Sequence, residues 1–402
     1  MARPKRTRFF RAFIRSEQAS GVLLIISTII SLIIANSAYG TGYLAFWEQP
    51  VQLGFGDHAL TEPVSGWIND GLMAIFFLLV GCEIKREFKL GELSDPKSAA
   101  LPAMAAIGGM VLPAGLYLLV NAGLPTAPGA GIPMATDIAF VLGTLSLVGG
   151  RAPFGLKVFL TALAVIDDLG AISVIAIFYS KSFSLPFFLG AMAVLAVLVL
   201  LNRMRVWRLW PYLTLGLVLW FCVLESGIHA TVAGVLLALT IPLGKGAEHS
   251  PLLRLEHALH RPVNLGIMPI FALANTGIIV ESNFLSSLTT PDSIGILLGL
   301  LIGKPVGIVF MAWLAVRLGI AQLPDHVGWK QIVGAGFLGG IGFTMSIFVA
   351  VLAFDNPVFV NSSKITVLVA SLLAGLVGYF ILRYATLRPT EQTLSRQKTV
   401  SS

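Results

Sequence analysis

The stretch ALAVIDDLGAI, residues 162–172, places two adjacent aspartates, Asp167 and Asp168, inside an apolar run. The run extends from about residue 157 to about 179, long enough to cross a hydrocarbon core of about 30 Å as a helix, and the aspartates fall near its middle. Each Asp at that depth costs about 2.5 to 3.5 kcal/mol to insert, so the pair together nearly cancels the gain from the surrounding apolar side chains. Charges in such a position indicate function. The structural alternative is that they hydrogen-bond neighbouring helices.

The whole chain has the composition of a membrane protein. It contains 402 residues, 56% of them hydrophobic and 12% charged, and its mean hydropathy is +0.86, whereas a soluble domain is about 25% charged. The net charge of +7 is spread over short segments between apolar runs, so we expect no nucleic-acid partner. Cys82 and Cys222 both lie in apolar segments, which argues against a disulfide framework or a zinc site.

Twelve apolar segments are candidate transmembrane helices, which predicts an all-α polytopic membrane protein embedded in the lipid bilayer. Their approximate limits are 18–37, 67–84, 99–121, 132–148, 157–179, 185–202, 210–224, 228–243, 262–280, 293–316, 331–352 and 364–387. The segment at 132–148 is short and contains Pro133 and Gly143, so its helix is expected to break. The chain then divides into a basic N-terminus (1–17), a transmembrane domain (18–387) and a C-terminal tail (388–402).

The distribution of lysine and arginine predicts the orientation. If the N-terminus is inside, all but three of the 27 lysines and arginines fall on the inner side, and the exceptions are Lys181, Lys304 and Lys364. Cytoplasmic loops carry such an excess, so both termini are predicted to be cytoplasmic. The first span also resembles a cleaved signal peptide, with a basic start and the small residues of IANSAYG, but the remaining topology is the same either way.

The outside loop, residues 38–66, contains the stretch VQLGFGDHALT at 51–61. Its alternating residues around a Gly-Asp pair predict a β-hairpin with Gly56 at the first turn position. A surface hairpin has strand edges that can pair with another chain. A homodimer contact and an isolated flap therefore both remain open.

A charge of the opposite sign at membrane depth is Lys304, in LLIGKPVGI. It lies about 15 Å inside its span, beyond the roughly 6 Å reach of a lysine side chain towards water. It needs a carboxylate partner, and one aspartate of the 167–168 pair is the natural candidate. Because adjacent helical residues point about 100° apart, the two aspartates should have different partners. A neutral lysine lining a cavity is the alternative.

A third acid, Asp137, lies at membrane depth in GIPMATDIAF, with the hydroxyl of Thr136 beside it. Pro133 and the nearby glycines would free backbone carbonyls, and carbonyls, hydroxyls and carboxylates are the oxygen ligands that a hard cation accepts. A second interrupted segment, GAGFLGGIGFTMSIF, has glycines at 334, 336, 339, 340 and 342. Two broken spans in corresponding halves indicate a transporter's midplane site, although glycine packing between helices accounts for either segment alone.

These stretches together resemble the NhaA family of bacterial sodium/proton antiporters over nearly the whole chain. The matching motifs are WINDGLMAIFFLLVGCEIKREF, ATDIAFVLGTLSLVG, LTALAVIDDLGAI, SGIHATVAGVLLALTIPL, RLEHALH, FALANTG, LLIGKPVGI and GGIGFTMSIF. The family is a standard example of inverted-topology repeats, so the resemblance implies such repeats with two broken, crossing helices. Cys82, where leucine is common, and the long outside loop are minor departures.

The resemblance also implies roles for individual residues. Asp168 would carry the ion and the proton, and Asp167 would pair with Lys304. Sodium would be bound by Asp168, Asp167 and Thr136, while Thr136 and Asp137 would complete the helix crossing, where local charges compensate the helix ends. A cytoplasmic pH-sensing cluster would comprise Glu83, Arg86, Glu87, Glu256, His257 and His260, with His229 also affecting the pH response.

Read from the residues alone, these pH-sensing assignments have structural alternatives. Glu83 and Glu87, four residues apart, share a helix face and can simply be solvated near its end. His229 can equally be a hydrogen-bonded packing residue.

The sequence therefore predicts a secondary transporter rather than an enzyme, in the bacterial inner membrane, exchanging cytoplasmic sodium or lithium for external protons. Exchange is expected to be electrogenic, with two protons per sodium, and pH-regulated, and no cofactor is expected beside the transported ions. A sodium-coupled solute symporter would share the sodium ligands but needs a second pocket. An intramembrane aspartyl protease would use a Gly-x-Gly-Asp motif, which GFGD at 54–57 mimics, but that stretch lies in a polar outside loop.

Overall fold

The computed structural model describes residues 18–53, 60–149, 152–179, 183–244, 250–280 and 284–387, which are mostly helical. In chain order the helices and strands are α1 Gln18–Ala35, α2 Gly40–Trp47, β1 Pro50–Leu53, β2 Leu60–Pro63, α3 Val64–Leu90, α4 Pro96–Asn121, α5 Ile138–Leu147, α6 Phe154–Phe178, α7 Leu185–Arg203, α8 Trp210–Glu225, α9 Thr231–Thr240, α10 Pro251–Pro262, α11 Met268–Asn275, α12 Phe284–Ser287, α13 Pro291–Arg317, α14 Trp329–Gly339, α15 Phe343–Ala353 and α16 Pro357–Leu387. The 3-10 helices are Glu92–Ser94 and Ala127–Met134, and the π-helical turns are Trp67–Leu72, Val263–Ile267 and Gly299–Gly303.

The lengths and hydropathies of these helices confirm the all-α polytopic membrane class. Within the described ranges, seven helices are long and apolar enough to span a membrane, or up to nine if each of two bent pairs counts as one span. The bent pairs are α1 with α2, at 118°, and α14 with α15, at 42°. Helices α8 and α9 are apolar but shorter, so the count of twelve crossings stays a prediction.

The largest difference from the predicted boundaries occurs at the span expected over 262–280. Helix α10 already begins at Pro251, because the Ser250 hydroxyl accepts a hydrogen bond from the Leu253 N–H at 3.3 Å and caps the helix. The backbone stays helical through the π-helical turn and α11 to Asn275. A search of the sequence for apolar segments misses the start of this helix, because α10 is amphipathic and carries charged residues.

Helices α4 and α13 approach each other at glycines. A methyl group added to Gly108 would lie 2.1 Å from the Gly307 carbonyl oxygen, and one added to Gly307 would lie 2.1 Å from the Gly108 carbonyl oxygen. Small residues allow such close backbone packing between membrane helices. The contact lies one turn from Lys304, which directly follows the π-helical turn of α13, so glycine packing fixes the position of that lysine.

Both interrupted segments are broken as their prolines and glycines suggest. In the first, the 3-10 helix Ala127–Met134 is followed by non-helical residues 135–137 and then by α5. In the second, residues 340–342 separate α14 from α15. A methyl group on Gly340 would lie 2.5 Å from the Leu300 carbonyl oxygen, so only glycine fits there without displacement. Phe343, the first residue of α15, has a φ of +24°, a strained value for a residue other than glycine.

The loop predicted to lie outside, residues 38–66, contains two antiparallel strands. Pro50 lies opposite Pro63 and Leu53 opposite Leu60, and the four residues of β1 are exposed. The predicted turn position, Gly56, lies outside the described residues. Whether the hairpin contacts a second copy of the chain stays a prediction.

The glycine contact gives a stability test. We expect Gly108→Ala to lower the thermal unfolding midpoint in detergent, because separating α4 from α13 should cost about 1 to 3 kcal/mol. Gly115→Ala is the matched control, since Gly115 is on the same helix and has open space around its Cβ position. That control should leave the midpoint unchanged or raise it through helix propensity. Wild-type midpoints in both variants, measured by size-exclusion chromatography after heating, would contradict the packing argument.

Candidate functional site

The aspartate pair lies near the middle of α6, and both side chains are buried, with exposures of 0% for Asp167 and 4% for Asp168. Their helix is 25 residues long and qualifies as a membrane span. The structure therefore places two carboxylates inside the apolar part of the protein, where each polar oxygen needs a partner.

Lys304 is fully buried and paired with one of these carboxylates. Its Nζ lies 2.7 Å from Asp167 Oδ2. The same ammonium donates a hydrogen bond to the carbonyl oxygen of Met134, the last residue of the 3-10 helix Ala127–Met134. Lys304 thus neutralises a carboxylate and binds the C-terminal end of a helical segment, where carbonyl oxygens lack intrahelical partners.

Thr136 joins the two interrupted segments. Its hydroxyl lies 2.6 Å from Asp167 Oδ2 and 2.9 Å from the carbonyl oxygen of Gly339, the last residue of α14. A hydroxyl donates only one proton, so the two acceptors share it. The Thr136 side chain therefore connects the aspartate pair to the end of the second broken helix.

Asp137 caps two helices at once. One carboxylate oxygen accepts from the backbone N–H of Phe140 at 3.0 Å, as the N-cap of α5. The other accepts from the backbone N–H of Thr344 at 3.3 Å and from the Thr344 hydroxyl, at the start of α15. The Asp137 backbone N–H also donates to the Ile341 carbonyl oxygen at 2.8 Å, so the two breaks are in direct contact.

These contacts match the polarity of the helix ends. The two C-terminal ends, at Met134 and Gly339, meet the donors Lys304 and Thr136. The two N-terminal ends, of α5 and α15, meet the carboxylate Asp137. Negative groups stabilise the N-termini of helices and positive groups stabilise the C-termini. We call the four ends and these three side chains the crossing.

Two carboxylate oxygens beside the crossing are left without partners. Asp167 Oδ1 and Asp168 Oδ1 are buried and have no hydrogen bond within the described part of the chain. The charges of Asp167, Glu83, Asp137 and Lys304 all act on Asp168. The described residues contain no group of three or more His, Cys, Asp or Glu side chains able to hold a metal ion. A cation here would therefore use the two carboxylates with hydroxyl or carbonyl oxygens, as hard cations accept.

Part of the expected pH-sensing cluster comes together at the end of α3. Arg86 lies 2.8 Å from Glu87 Oε1 and 2.5 Å from Glu256 Oε1 of α10. The other carboxylate oxygen of Glu256 is buried without a hydrogen-bond partner among the described residues. Glu83 interacts electrostatically with Glu256, and its charge also acts on Asp168. Glu83 therefore connects the cluster electrostatically to the aspartate pair.

The three histidines occupy different surroundings. His257 is exposed, and its charge acts on Glu256. His260 lies 3.4 Å from Asn264 Nδ2. His229 precedes α9, whose other end accepts hydrogen bonds from Lys85 through the Leu239 and Ile241 carbonyl oxygens at 2.7 and 2.6 Å. His229 thus lies at the opposite end of α9 from Lys85, about 15 Å along that helix.

Two functional partners were not predicted from the sequence. Thr344, whose backbone N–H and hydroxyl both donate to Asp137, could have been suspected because this hydroxyl residue lies two positions after the last glycine of the second broken segment. Lys85, which binds the end of α9, gave no signal beyond its charge. The backbone acceptors Met134 and Gly339 could not be identified individually, since every residue offers a backbone carbonyl oxygen.

Interrupted helices that meet around buried charges at mid-span define a secondary ion transporter. A family model described as Na+/H+ antiporter 1 matches residues 11–382, and the chain belongs to that family of Na+/H+ antiporters. This confirms the family expected from the motifs, and it makes the chain a transporter rather than an enzyme, which sets aside the aspartyl protease.

Curated relatives cover nearly the whole chain. A Na+/H+ antiporter NhaA 1 of Flavobacterium johnsoniae is 52% identical over 380 residues, which is 94% of this chain and 98% of the relative. An NhaA of Cytophaga hutchinsonii is 50% identical over 393 residues, 98% of this chain and 100% of the relative. An NhaA of Dechloromonas aromatica is 53% identical over 386 residues, 94% and 97% of the two chains.

The Lys304–Asp167 pair gives a second stability test. We expect Lys304→Gln to lower folding stability by about 3 to 5 kcal/mol, because it leaves a buried carboxylate without its cation. The double variant Lys304→Gln with Asp167→Asn removes both charges and should recover part of that loss. Thermal unfolding of wild type, both single variants and the double variant in detergent measures the coupling. Strictly additive effects would show that the pair contributes no interaction energy.

Proposed function

We propose that this chain exchanges cytoplasmic sodium or lithium for external protons, with Asp168 as the residue that carries the ion or the proton. The observation that supports Asp168 most directly is its buried Oδ1 atom, which has no hydrogen-bond partner in the described chain. Lys304 is engaged with Asp167 and Met134. Asp167 also has an unpartnered Oδ1, but its other oxygen is bound by Lys304 and Thr136, whereas no cation is paired with Asp168 among the described residues.

Exchange follows from competition for one carboxylate. A proton and a sodium ion cannot both occupy the same Asp168 oxygens, so loading one releases the other. Asp167 Oδ1 and the Thr136 oxygen would complete the sodium ligands. Alternating exposure of the loaded site to the two sides then gives antiport without covalent chemistry.

The stoichiometry belongs to the same proposal. If two protons exchange for one sodium, one net charge crosses per cycle, and the membrane potential supplies about 2.3 kcal/mol per 100 mV. The second proton would reside on Asp167 or Lys304, which share a 2.7 Å contact. That energy would drive sodium outward against a gradient.

The expected localisation, dimerisation and pH regulation are part of the same proposal. The multi-pass chain would lie in the bacterial inner membrane with both termini cytoplasmic, as its lysines and arginines predict. A homodimer would use the exposed strand β1. The cluster of Glu83, Arg86, Glu87 and Glu256 would regulate transport by cytoplasmic pH, because its charges connect the end of α3 with α10.

The role of Asp168 is tested by sodium-driven pH change. In everted vesicles, Asp168→Asn should abolish sodium-dependent proton movement between roughly pH 6.5 and 8.5, because an amide cannot exchange a proton for a cation. Asp325→Asn, the same change at an exposed position, should transport like wild type. Full activity of the Asp168→Asn variant at normal expression would refute the assignment of Asp168.

The pH-sensing role is tested at Glu256, which lies outside the membrane-spanning helices. Burial raises the pKa of Glu256, opposed by the positive charge of Arg86. As pH falls, Glu256 therefore binds a proton at a higher pH than an exposed glutamate and loses its ion pair with Arg86; rising pH restores the pair. Glu256→Gln fixes the neutral state.

We therefore expect Glu256→Gln to move the activation profile to more alkaline pH by about half a unit or more. Glu92→Gln is the matched control, because Glu92 is exposed and follows α3, the helix that carries Arg86. The vesicle assay above, run across pH, measures both variants. An unchanged profile in the Glu256→Gln variant would remove Glu256 from the sensing cluster.

A further inference from the structure

Helix α3 packs closely against α9 along one face. A methyl group added to Gly81 of α3 would lie 2.7 Å from the Ala238 side chain of α9. A methyl group added to Gly234 of α9 would lie 2.2 Å from the Ala74 carbonyl oxygen of α3. Small residues allow such close approach between membrane helices. The face of α3 towards α9 comprises Ala74, Leu78, Gly81 and Lys85, which recur at the three- and four-residue spacing of one helix face.

Lys85 lies at the inner end of this face, the end that the lysines and arginines predict to be cytoplasmic. Its ammonium donates hydrogen bonds to the carbonyl oxygens of Leu239 and Ile241, at 2.7 and 2.6 Å, at the C-terminal end of α9. Carbonyl oxygens at a helix end lack intrahelical partners, and a positive charge is favourable there. A lysine near the end of a membrane helix ordinarily extends to water, so its binding to α9 is a specific feature of this fold.

A second face of the same helical turn carries the pH-sensing cluster. Arg86 directly follows Lys85, so the two side chains point about 100° apart. Arg86 lies 2.5 Å from Glu256 Oε1 of α10 and 2.8 Å from Glu87 Oε1. The rotation of α3 about its own axis therefore determines both contacts together, because turning Lys85 away from α9 also turns Arg86 relative to α10.

Another side chain binds the same end of α9. Asn202 of α7 donates a hydrogen bond to the Thr240 carbonyl oxygen, which lies between the two carbonyls that Lys85 binds. If capping of α9 were the whole role of Lys85, Asn202 would share that role. However, Lys85 is on the helix that carries Arg86, whereas α7 carries no member of the cluster. The two residues therefore allow capping of α9 to be separated from placement of the cluster.

We propose that Lys85 is a positioning residue of the pH-sensing cluster, which holds the inner end of α3 against α9 so that Arg86 meets Glu256. This inference rests on the proposed function, in which Glu256 and Arg86 respond to cytoplasmic pH, and adds the residue that aligns them. Among the described residues no ion pair joins Lys85 to a carboxylate. Its effect on Glu256 is therefore exerted through the position of Arg86.

The charged surroundings of both groups support this route. The titratable groups acting on Glu256 are Cys82, Glu83, Arg86 and Glu87 of α3 and His257 of α10. Those acting on Lys85 are Cys82 and Lys89 of its own helix, while α9 contains no charged residue and Asn202 is followed by Arg203 on α7. In the part of the chain that the structure describes, Arg86 is the cation paired with Glu256. A shift of Arg86 is thus the change that alters the proton affinity of Glu256 most directly.

The test is the pH profile of sodium-driven proton movement in everted vesicles. Lys85→Met keeps the length of the side chain but removes its charge and both hydrogen bonds. With Arg86 held less firmly, the Glu256 carboxylate is stabilised less and binds a proton at higher pH. We expect the activation profile to move to more alkaline pH by about 0.2 to 0.5 unit, with an unchanged rate on the alkaline plateau. Lys85→Arg, which keeps a cation and its donors, should restore the wild-type profile.

Two comparisons separate positioning from a structural role. Asn202→Leu removes the other hydrogen bond to the end of α9 and should leave the pH profile unchanged. Lys85→Met combined with Glu256→Gln should cause no shift beyond that of Glu256→Gln, because the group through which Lys85 acts is already neutral. If the Lys85→Met variant does not reach the membrane, Lys85→Gln carries the same test.

Each outcome decides one question. Wild-type protein without sodium/proton exchange would refute the proposed function itself, and an unchanged profile in the Glu256→Gln variant would refute its pH-sensing part together with this inference. A shifted profile in the Glu256→Gln variant with a wild-type profile in the Lys85→Met variant, or in Lys85→Gln if that is the one tested, would refute the role of Lys85 alone. An equal shift in the Asn202→Leu variant would reduce Lys85 to a cap of α9. An additional shift in the double variant would show that Lys85 acts apart from Glu256, which also overturns the inference.

Discussion

Four helix ends meet inside the protein, and the need to compensate their charges determines the rest of the site. Two C-terminal ends meet Lys304 and Thr136, and two N-terminal ends meet Asp137. In lipid no water is available to satisfy free backbone groups, so broken helices persist only where side chains replace that water. The crossing therefore needs one buried cation and one buried anion, and the buried Lys304 in turn needs Asp167 at 2.7 Å.

The position of Asp168 follows from that requirement. Adjacent residues of α6 point in different directions, so once Asp167 is turned to Lys304, Asp168 cannot share that contact squarely. Its Oδ1 stays unpartnered among the described residues, and a buried unpartnered carboxylate oxygen is costly. A proton or a cation removes that cost. The same aspartate pair thus supplies a fixed partner for the crossing and, in the proposed mechanism, an exchangeable position beside it.

The sequence predicted those parts of the site in which one residue is energetically unfavourable at its position in an apolar helix. The depth of Lys304 required a carboxylate, and the prolines and glycines indicated where the two spans break. By contrast, the role of Asp137 as a cap for both α5 and α15 depends on which helix ends meet, and that is decided by packing such as the Gly108–Gly307 contact. The start of α10 at Pro251 was missed because its charges lower the apolar signal that identifies spans.

A broken helix also allows motion that a continuous helix does not. In a continuous helix each residue is held by bonds one turn away, so shifting one end moves the whole span. At the crossing, the half-helices are connected through side chains and through residues 135–137 and 340–342. Packed segments change between discrete arrangements. At the crossing, only a few side-chain contacts would have to break and re-form in such a change. Because Asp137, Thr136 and Lys304 hold those contacts with charged or hydroxyl groups, a change of charge at Asp167 or Asp168 would, in the proposed mechanism, act directly on the segments that move.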